Sequence, residues 1–382
     1  MNICIICPSY PTKEGKGGYF FVEQLVNQFS ALGHNCTVIA PVNIATNYFV
    51  AKPYGSYHES FEQFNGSIVE VYRPRYYGRD LRVFGISWAN NCCQRVIESV
   101  IKRHHLQIDV LYGHFFRSSV VAWRYASRHQ IPLFVASGES TIPEIVKPCS
   151  DFSVEKFKQY LSGVVCVSTK NKDEAIALGY ATVEQCAVFP NGVDLSLFKP
   201  MDRKECRKQL GLPQDKFIIV CVGNYTERKG QSRIVRAVEK LNNSSIGVVL
   251  AGRGNEVLKS DYILYKDFVS HDDVPFYFNA SDVYVLPTRW EGCCNSIIEA
   301  MACGLPIISS DRSFNWDILN KDNSILIDPD DEEEIAGAIN MFLHDENLRI
   351  IYGHKSYEGS KALSIEERAK KIIAFIENRI NQ

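Results

Sequence analysis

The chain has 382 residues, of which 46% are hydrophobic and 23% charged, and its net charge is −2. That length exceeds one ordinary core and sets two domains as the expectation, while the composition excludes fibrous and disordered classes. The near-neutral balance gives nucleic acid no electrostatic footing, and no apolar run reaches the roughly 18–20 residues that span a bilayer.

The charge is unevenly spread. Residues 1–195 hold 18 Lys and Arg against 16 Asp and Glu, and the remainder holds 24 against 28. Residues 71–128 alone carry ten basic side chains and three acidic ones. The 13 cysteines are odd in number and scattered through apolar runs. With no secretory pattern ahead of the first strand, reduced thiols and a cytoplasmic protein are expected. Cys4 and Cys7 stand three apart on a predicted strand, so they point to opposite faces and suit neither metal nor redox chemistry.

In chain order, residues 2–7 read as a buried strand closed by Pro8. A loop with Gly15, Gly17 and Gly18 follows, then a helix whose apolar positions are Phe21, Leu25, Val26 and Phe29, ended by Gly33. Residues 38–40 form the next strand. This β–loop–α–β opening lacks the Gly-x-Gly-x-x-Gly dinucleotide fingerprint. Residues 44–64 are expected to be irregular, and 67–73 to be a strand. Basic and aromatic residues then interleave through Arg75, Tyr76, Tyr77, Arg79 and Arg82 ahead of a helix over 87–104. That pattern suits a solvated face or a peripheral contact of 71–128 with acidic lipid on the inner face of the membrane.

Residues 109–112 form a strand with His114 just beyond it. A helix over 118–128, a strand over 132–136, a strand over 164–167 and a helix over 171–178 continue the alternation. Pro190, Asn191, Gly192, Val193 and Asp194 precede a linker beginning at Phe198, which puts a domain boundary near residue 195.

The second half repeats the rhythm. A strand over 217–222 runs into Gly223-Asn224-Tyr225-Thr226-Glu227-Arg228-Lys229-Gly230 and a helix to about 241. Two adjacent cations at such a turn suit a diphosphate, through the fork of Arg and the point charge of Lys. A strand over 247–251 leads into Gly252-Arg253-Gly254, and a helix over 274–279 precedes an apolar strand over 282–286 that Pro287 closes. Glu291 then falls in the loop at that strand's carboxyl end, and Glu299 one turn into a helix over 295–303, stopped by Gly304 and Pro306. In an open α/β sheet this edge is where ligands bind. The N–H groups of Cys294, Asn295 and Ser296 face outward at the helix start, a place that favours an anion. A carboxylate on either side of an anion site fits a ligand with phosphates in the middle and hydroxyls at both ends, as in a nucleotide sugar. Strands over 306–309 and 324–327 follow. Asp328-Pro329-Asp330 has the Asp-x-Asp form of a metal–diphosphate site, but it leads into an acidic helix start at 331–334 and is read as a capping region, with no metal expected. An amphipathic helix over 365–380 closes the chain.

Two glutamates eight apart, followed by Ala300-Met301-Ala302-Cys303-Gly304-Leu305-Pro306, resemble the Glu-x7-Glu signature of the retaining glycosyltransferases of family 4. The resemblance covers nearly the whole chain and is most specific in 188–194, 223–230 and 282–306. It implies the GT-B fold, two doubly wound Rossmann-like α/β domains with parallel sheets facing a central cleft: 1–195 on the acceptor side, 196–364 binding the nucleotide sugar, and 365–382 as a helix packing back on the first domain. It implies a catalytic set of Glu291 at the sugar hydroxyls, Lys229 and Arg228 at the diphosphate, and His114 near the donor sugar. It also implies donor contacts from Gly17, Gly18, Gly223, Arg253, Cys294, Asn295, Ser296 and Glu299, the last at the ribose. The implied partners are a UDP- or GDP-linked sugar and a saccharide or lipid-linked acceptor, without a cofactor. Two departures stand out: Ser137 replaces a family histidine, and Asn224 replaces an arginine whose charge Arg228 would supply. A non-catalytic nucleotide-sugar-binding subunit, or an epimerase using Glu139 and Glu144, stays open as an alternative.

Overall fold

The computed structural model describes residues 1–14, 19–47, 55–63, 65–79, 81–83, 86–142, 153–254 and 256–381. Gly17, Gly18 and Glu144 lie outside the described residues. The chain divides into two compact units, one of Met1–Phe189 with Arg368–Gln382 and one of Pro190–Glu367.

In the first unit the elements run β1 (Asn2–Ile6), α1 (Phe20–Ala31), β2 (Asn35–Ile39), β3 (Val42–Asn43), α2 (Ile44–Asn47), β4 (His58–Glu62), β5 (Ile68–Tyr72), β6 (Arg75–Tyr76), β7 (Arg82–Val83), β8 (Ile86–Ser87), α3 (Trp88–Arg103), β9 (Val110–His114), α4 (Phe116–His129), β10 (Leu133–Ser137), α5 (Val154–Tyr160), β11 (Gly163–Cys166), α6 (Thr169–Ala177) and β12 (Cys186–Val188). The main sheet has the order β12-β11-β10-β9-β1-β2-β5-β4 and is parallel except for β4, which runs antiparallel beside β5. The strands β1, β9, β10 and β11 are buried almost throughout, which explains their unbroken apolar runs. Two expectations need correction here. Within 44–64 the described residues include helix α2 and the edge strand β4; and His114 closes β9 rather than following it. An edge strand faces neighbours on one side only, so its sequence, His-Glu-Ser-Phe-Glu, carries little apolar signal.

The second unit holds α7 (Arg203–Leu210), β13 (Phe217–Val222), α8 (Gln231–Leu241), β14 (Ile246–Ala251), β15 (Ile263–Asp267), α9 (Val274–Asn279), β16 (Val283–Leu286), α10 (Asn295–Ala302), β17 (Ile307–Ser310), β18 (Ser324–Ile327), α11 (Glu332–His344) and α12 (Glu346–Lys361). Its sheet is wholly parallel in the order β15-β14-β13-β16-β17-β18. The order reverses between β13 and β16, so the loops leaving their carboxyl ends stand where an open α/β sheet binds its ligand. The last helix, α13 (Ile365–Ile380), starts in this unit and continues into the first. There its Phe375 ring meets Phe134 edge-on at 6.1 Å, and Arg379 Nε donates to the Ser162 carbonyl at 2.8 Å.

Candidate active site

The switch point of the second unit gathers most of the residues that the sequence singles out. After β13 the backbone turns at Gly223, whose φ of 143° favours glycine. Beside it, a Cβ on Gly252 would stand 2.0 Å from the Gly223 carbonyl oxygen, so the two turns pack backbone to backbone. The cation loop is then fixed by Arg233, a buried residue of α8. Its guanidinium donates to the carbonyls of Glu227 (2.9 Å) and Pro287 (2.7 Å), tying the loop after β13 to the loop after β16. Gly230 (φ 82°) leaves room for that guanidinium, because a Cβ there would lie 2.5 Å from it. Sequence reading missed Arg233, since one Arg in an amphipathic helix gives no sign of pointing inward.

On this frame Arg228 and Lys229 both reach Glu291. Lys229 Nζ lies 2.7 Å from Glu291 Oε1, Arg228 Nη1 pairs with the same oxygen, and Thr288 Oγ1 donates to it at 3.3 Å. Among the described residues no donor reaches Oε2. The Lys229 ammonium is nearly buried; burial pushes its pKa down, but the adjoining Cys294 sulfur and Glu291 carboxylate outweigh that and hold it above the ordinary lysine range. Its Nζ lies 3.6 Å from Cys294 Sγ. The cluster therefore carries positive charge at neutral pH, held together by one shared carboxylate oxygen.

Cys294 is the residue before α10, and no side chain caps that helix. An uncapped helix start beside two cations favours an anion electrostatically. The side chains next to it are already engaged. Asn191 Nδ2 donates to Asn295 Oδ1 at 2.7 Å and to the Cys293 carbonyl at 3.1 Å, while the Ser296 hydroxyl meets Tyr284 Oη at 2.7 Å. What the turn offers a ligand is its backbone. One turn on, Glu299 Oε1 accepts from His271 Nε2 at 3.2 Å. His271 was not singled out by the sequence, because it lies in a loop with no motif around it. Arg253, exposed at the end of β14, stacks its guanidinium 4.3 Å from the centre of the Phe268 ring.

The remaining sites fall elsewhere. His114 belongs to the first unit, buried at the carboxyl end of β9 among Phe21 and Phe115. Burial, with a smaller push from Arg368, lowers its pKa to about 3, so the ring is neutral; its Nδ1 has no hydrogen-bond partner among the described residues. Ser137 is also buried, donating to Glu139 Oε2 at 3.1 Å, and Glu139 Oε1 accepts from the Phe116 N–H at the start of α4. Asp328 and Asp330 pair with Arg312 (3.0 Å) and Arg289 (2.7 Å), and Asp331 caps α11. Among the described residues no three His, Cys, Asp or Glu side chains cluster as metal ligands.

Comparison with known proteins gives this geometry a family. The pattern described as "Glycosyltransferase Family 4" matches residues 16–197, and that of "Glycosyl transferases group 1" matches residues 202–359. Both halves match, in sequence order, and together they span nearly the whole chain. The chain belongs to glycosyltransferase family 4. Among curated relatives of this glycosyltransferase, a Bacillus subtilis chain that carries the name of a teichuronic acid biosynthesis glycosyltransferase, TuaC, is 29% identical over 91% of this chain and 90% of its own length. An Escherichia coli UDP-Gal:alpha-D-GlcNAc-diphosphoundecaprenol alpha-1,3-galactosyltransferase is 26% identical over 69% of this chain and 74% of its own. Among solved structures, sucrose-phosphate synthase from Thermosynechococcus elongatus superposes with a TM-score of 0.77 at 18% identity over 100% of both chains. Anabaena HepE in complex with UDP gives a TM-score of 0.73 at 18% identity, over 99% of this chain and 100% of its own. These likenesses show the GT-B fold of the family 4 glycosyltransferase.

Proposed function

We propose that this glycosyltransferase moves a hexose, with retained anomeric configuration and without a metal, from a UDP- or GDP-linked sugar to a saccharide or lipid-linked saccharide in surface polysaccharide or glycolipid assembly. The observation that carries the reading is the convergence of Arg228 and Lys229 on Glu291 beside the uncapped start of α10. In this reading the two cations and the N–H groups of Cys294, Asn295 and Ser296 receive the diphosphate, with the Gly223 backbone alongside. Glu291 receives hydroxyls of the sugar, Glu299 those of the ribose, and Arg253 lies toward the nucleoside. In the first unit His114 keeps a neutral ring in its buried setting.

The chemistry follows from where charge develops. The bond from the anomeric carbon to the diphosphate oxygen breaks, the acceptor oxygen bonds to that carbon from the same face, and the acceptor proton passes to the departing phosphate oxygen. Negative charge grows on the leaving diphosphate, where preorganised cations and a helix N-terminus stabilise it most. Two relatives support the choice of substrates, the UDP complex of HepE and the diphosphoundecaprenol-linked acceptor in the name of the E. coli enzyme. A cytoplasmic location with peripheral membrane contact goes with such an acceptor. Support for that contact comes from Tyr77, Leu81 and Trp88, all exposed, with Arg79 over the Tyr77 ring and Lys102 and Arg103 on α3. Arg73 is no part of it, since it is buried against Glu59.

The test is a thermal-shift and transfer screen against UDP, GDP and their common sugars, with Mg²⁺ or with a chelator. A ligand that binds only the folded chain raises its melting temperature. A shift and turnover with one nucleotide, unaffected by the chelator, is the expected result. Stabilisation that vanishes with the chelator would overturn the metal-independent mechanism, and no shift with any of them would overturn the donor site.

A further inference from the structure

We propose that His271 is a positioning residue for Glu299, turning its carboxylate toward a vicinal diol and so setting a preference for ribo- over 2′-deoxyribonucleoside diphosphates. This rests on the reading above, in which Glu299 receives the ribose. Glu299 projects from α10, where a glutamate has several rotamers open to it. Among the described residues, His271 is the one side chain hydrogen-bonded to Glu299, at 3.2 Å from Oε1. Since a carboxylate only accepts, Nε2 carries the proton of that bond. Glu299 is largely buried, at 13% exposure, and the His271 side chain is one-third exposed.

The imidazole is itself held. Its ring packs edge-on against Phe198 at 5.2 Å between centroids, and Phe198 is fully buried. The backbone around it is a turn closed by Ser270 Oγ donating to Asp273 Oδ2 at 2.6 Å and by the Asp273 N–H donating to the Ser270 carbonyl at 3.0 Å. A fixed donor therefore meets a rotatable acceptor and selects one of its rotamers. With one lone pair of Oε1 occupied, the other lone pair and Oε2 remain for two hydroxyls. A ribose offers its 2′- and 3′-hydroxyls as such a pair, and a 2′-deoxyribose lacks one of them. A rigid site built for two donors rejects a ligand with one more strongly than a loose site does.

The experiment compares UDP and GDP with their 2′-deoxy counterparts by calorimetric titration, alongside donor kinetics, in the natural chain and in H271A, H271Q and E299Q. The natural chain should prefer the ribo form by about tenfold or more, the scale of one charge-assisted hydrogen bond. H271A should lose most of that preference and raise the donor KM with kcat little changed, the mark of a lost positioning contact. H271Q, whose amide N–H can take the place of Nε2–H, should restore both. If H271A keeps the natural preference while E299Q loses it, the inference is overturned and the ribose reading stands. If E299Q also keeps the preference, or none of the nucleotides binds, the ribose reading fails and takes the inference with it. Equal loss in H271A and H271Q, with a lower melting temperature in both, would make His271 a structural residue only.

Discussion

Strand β16 has a carboxylate beyond each end, and the two are used in opposite ways. Before it, Asp282 is buried and both its oxygens are engaged. Oδ1 accepts from Arg203 at 2.6 Å, and Oδ2 accepts from Arg207 and from the Ile218 N–H at 2.7 Å each. Arg207 is in turn spent on the carbonyls of Ala280 and Gln214. After the strand, Glu291 also has two cations, but both share Oε1, and Arg228 and Lys229 keep donors beyond those bound to it. The acid at the amino end is a closed network; the one at the carboxyl end is open on one oxygen and two cations. An ion pair in a sheet protein is thus informative through its unfilled valences more than through its burial.

The strongest test of this contrast is Asp282→Ala. Removing one partner of a buried network strands the others, and about 3–5 kcal/mol of folding stability should be lost in urea unfolding. A loss below 1 kcal/mol would mean the network is solvated. Lys229→Ala should instead spare most of the stability and weaken nucleoside diphosphate binding by about 1.5–3 kcal/mol in calorimetry; equal affinity would move the phosphate site away from the cation loop. An ionisable group outside both networks sharpens the point. His114 is held neutral with its pKa near 3, against about 6.5 in the unfolded chain, so below pH 6.5 the unfolded state binds a proton that the native state refuses. Its contribution is complete above pH 6.5 and falls as acid is added, by about 2 kcal/mol at pH 5. His114→Gln should therefore flatten the acid limb of stability against pH, and an unchanged limb would mean that the ring is not buried neutral. The smallest binding effect is expected for Glu291→Gln. Because the carboxylate pairs with both cations, the amide should raise nucleoside diphosphate affinity a few-fold while turnover drops. Lowered affinity would show that Glu291 aids diphosphate binding.

Much of this was legible before the structure because the site follows local rules. A parallel strand buried on both faces must be apolar throughout, so β13 and β16 announce themselves, and whatever follows them stands at the ligand edge. Glu291, Lys229 and Arg228 stand at that edge by sequence alone, and their meeting on one oxygen is new from the structure. Illegible elements lacked apolar faces. In α12 the buried positions are Gly353, Ser356 and Ser360, because the helix packs so closely that a Cβ on Gly353 would stand 2.4 Å from the Gly304 carbonyl oxygen. Small residues packed that tightly leave no hydrophobic period to read. Helix α7 is mostly charged, and its inward Arg207 serves Asp282 75 residues away. His271 reaches Glu299 28 residues on, and Asn191 reaches Cys293 and Asn295 102 and 104 residues on, each through a single side chain.

The shared oxygen of Glu291 also bears on which anions the cluster would accept. A carboxylate tethered beside its own cations competes with solutes at a high effective concentration, set by the short loop that carries it. A solute with one weakly held charge must displace that tethered rival with little in return. In the proposed reading a diphosphate meets both cations and the helix start together, which would displace Glu291 and free its carboxylate for the sugar hydroxyls. Selection against lone phosphate would then be built into the resting cluster, before any sugar or base is read.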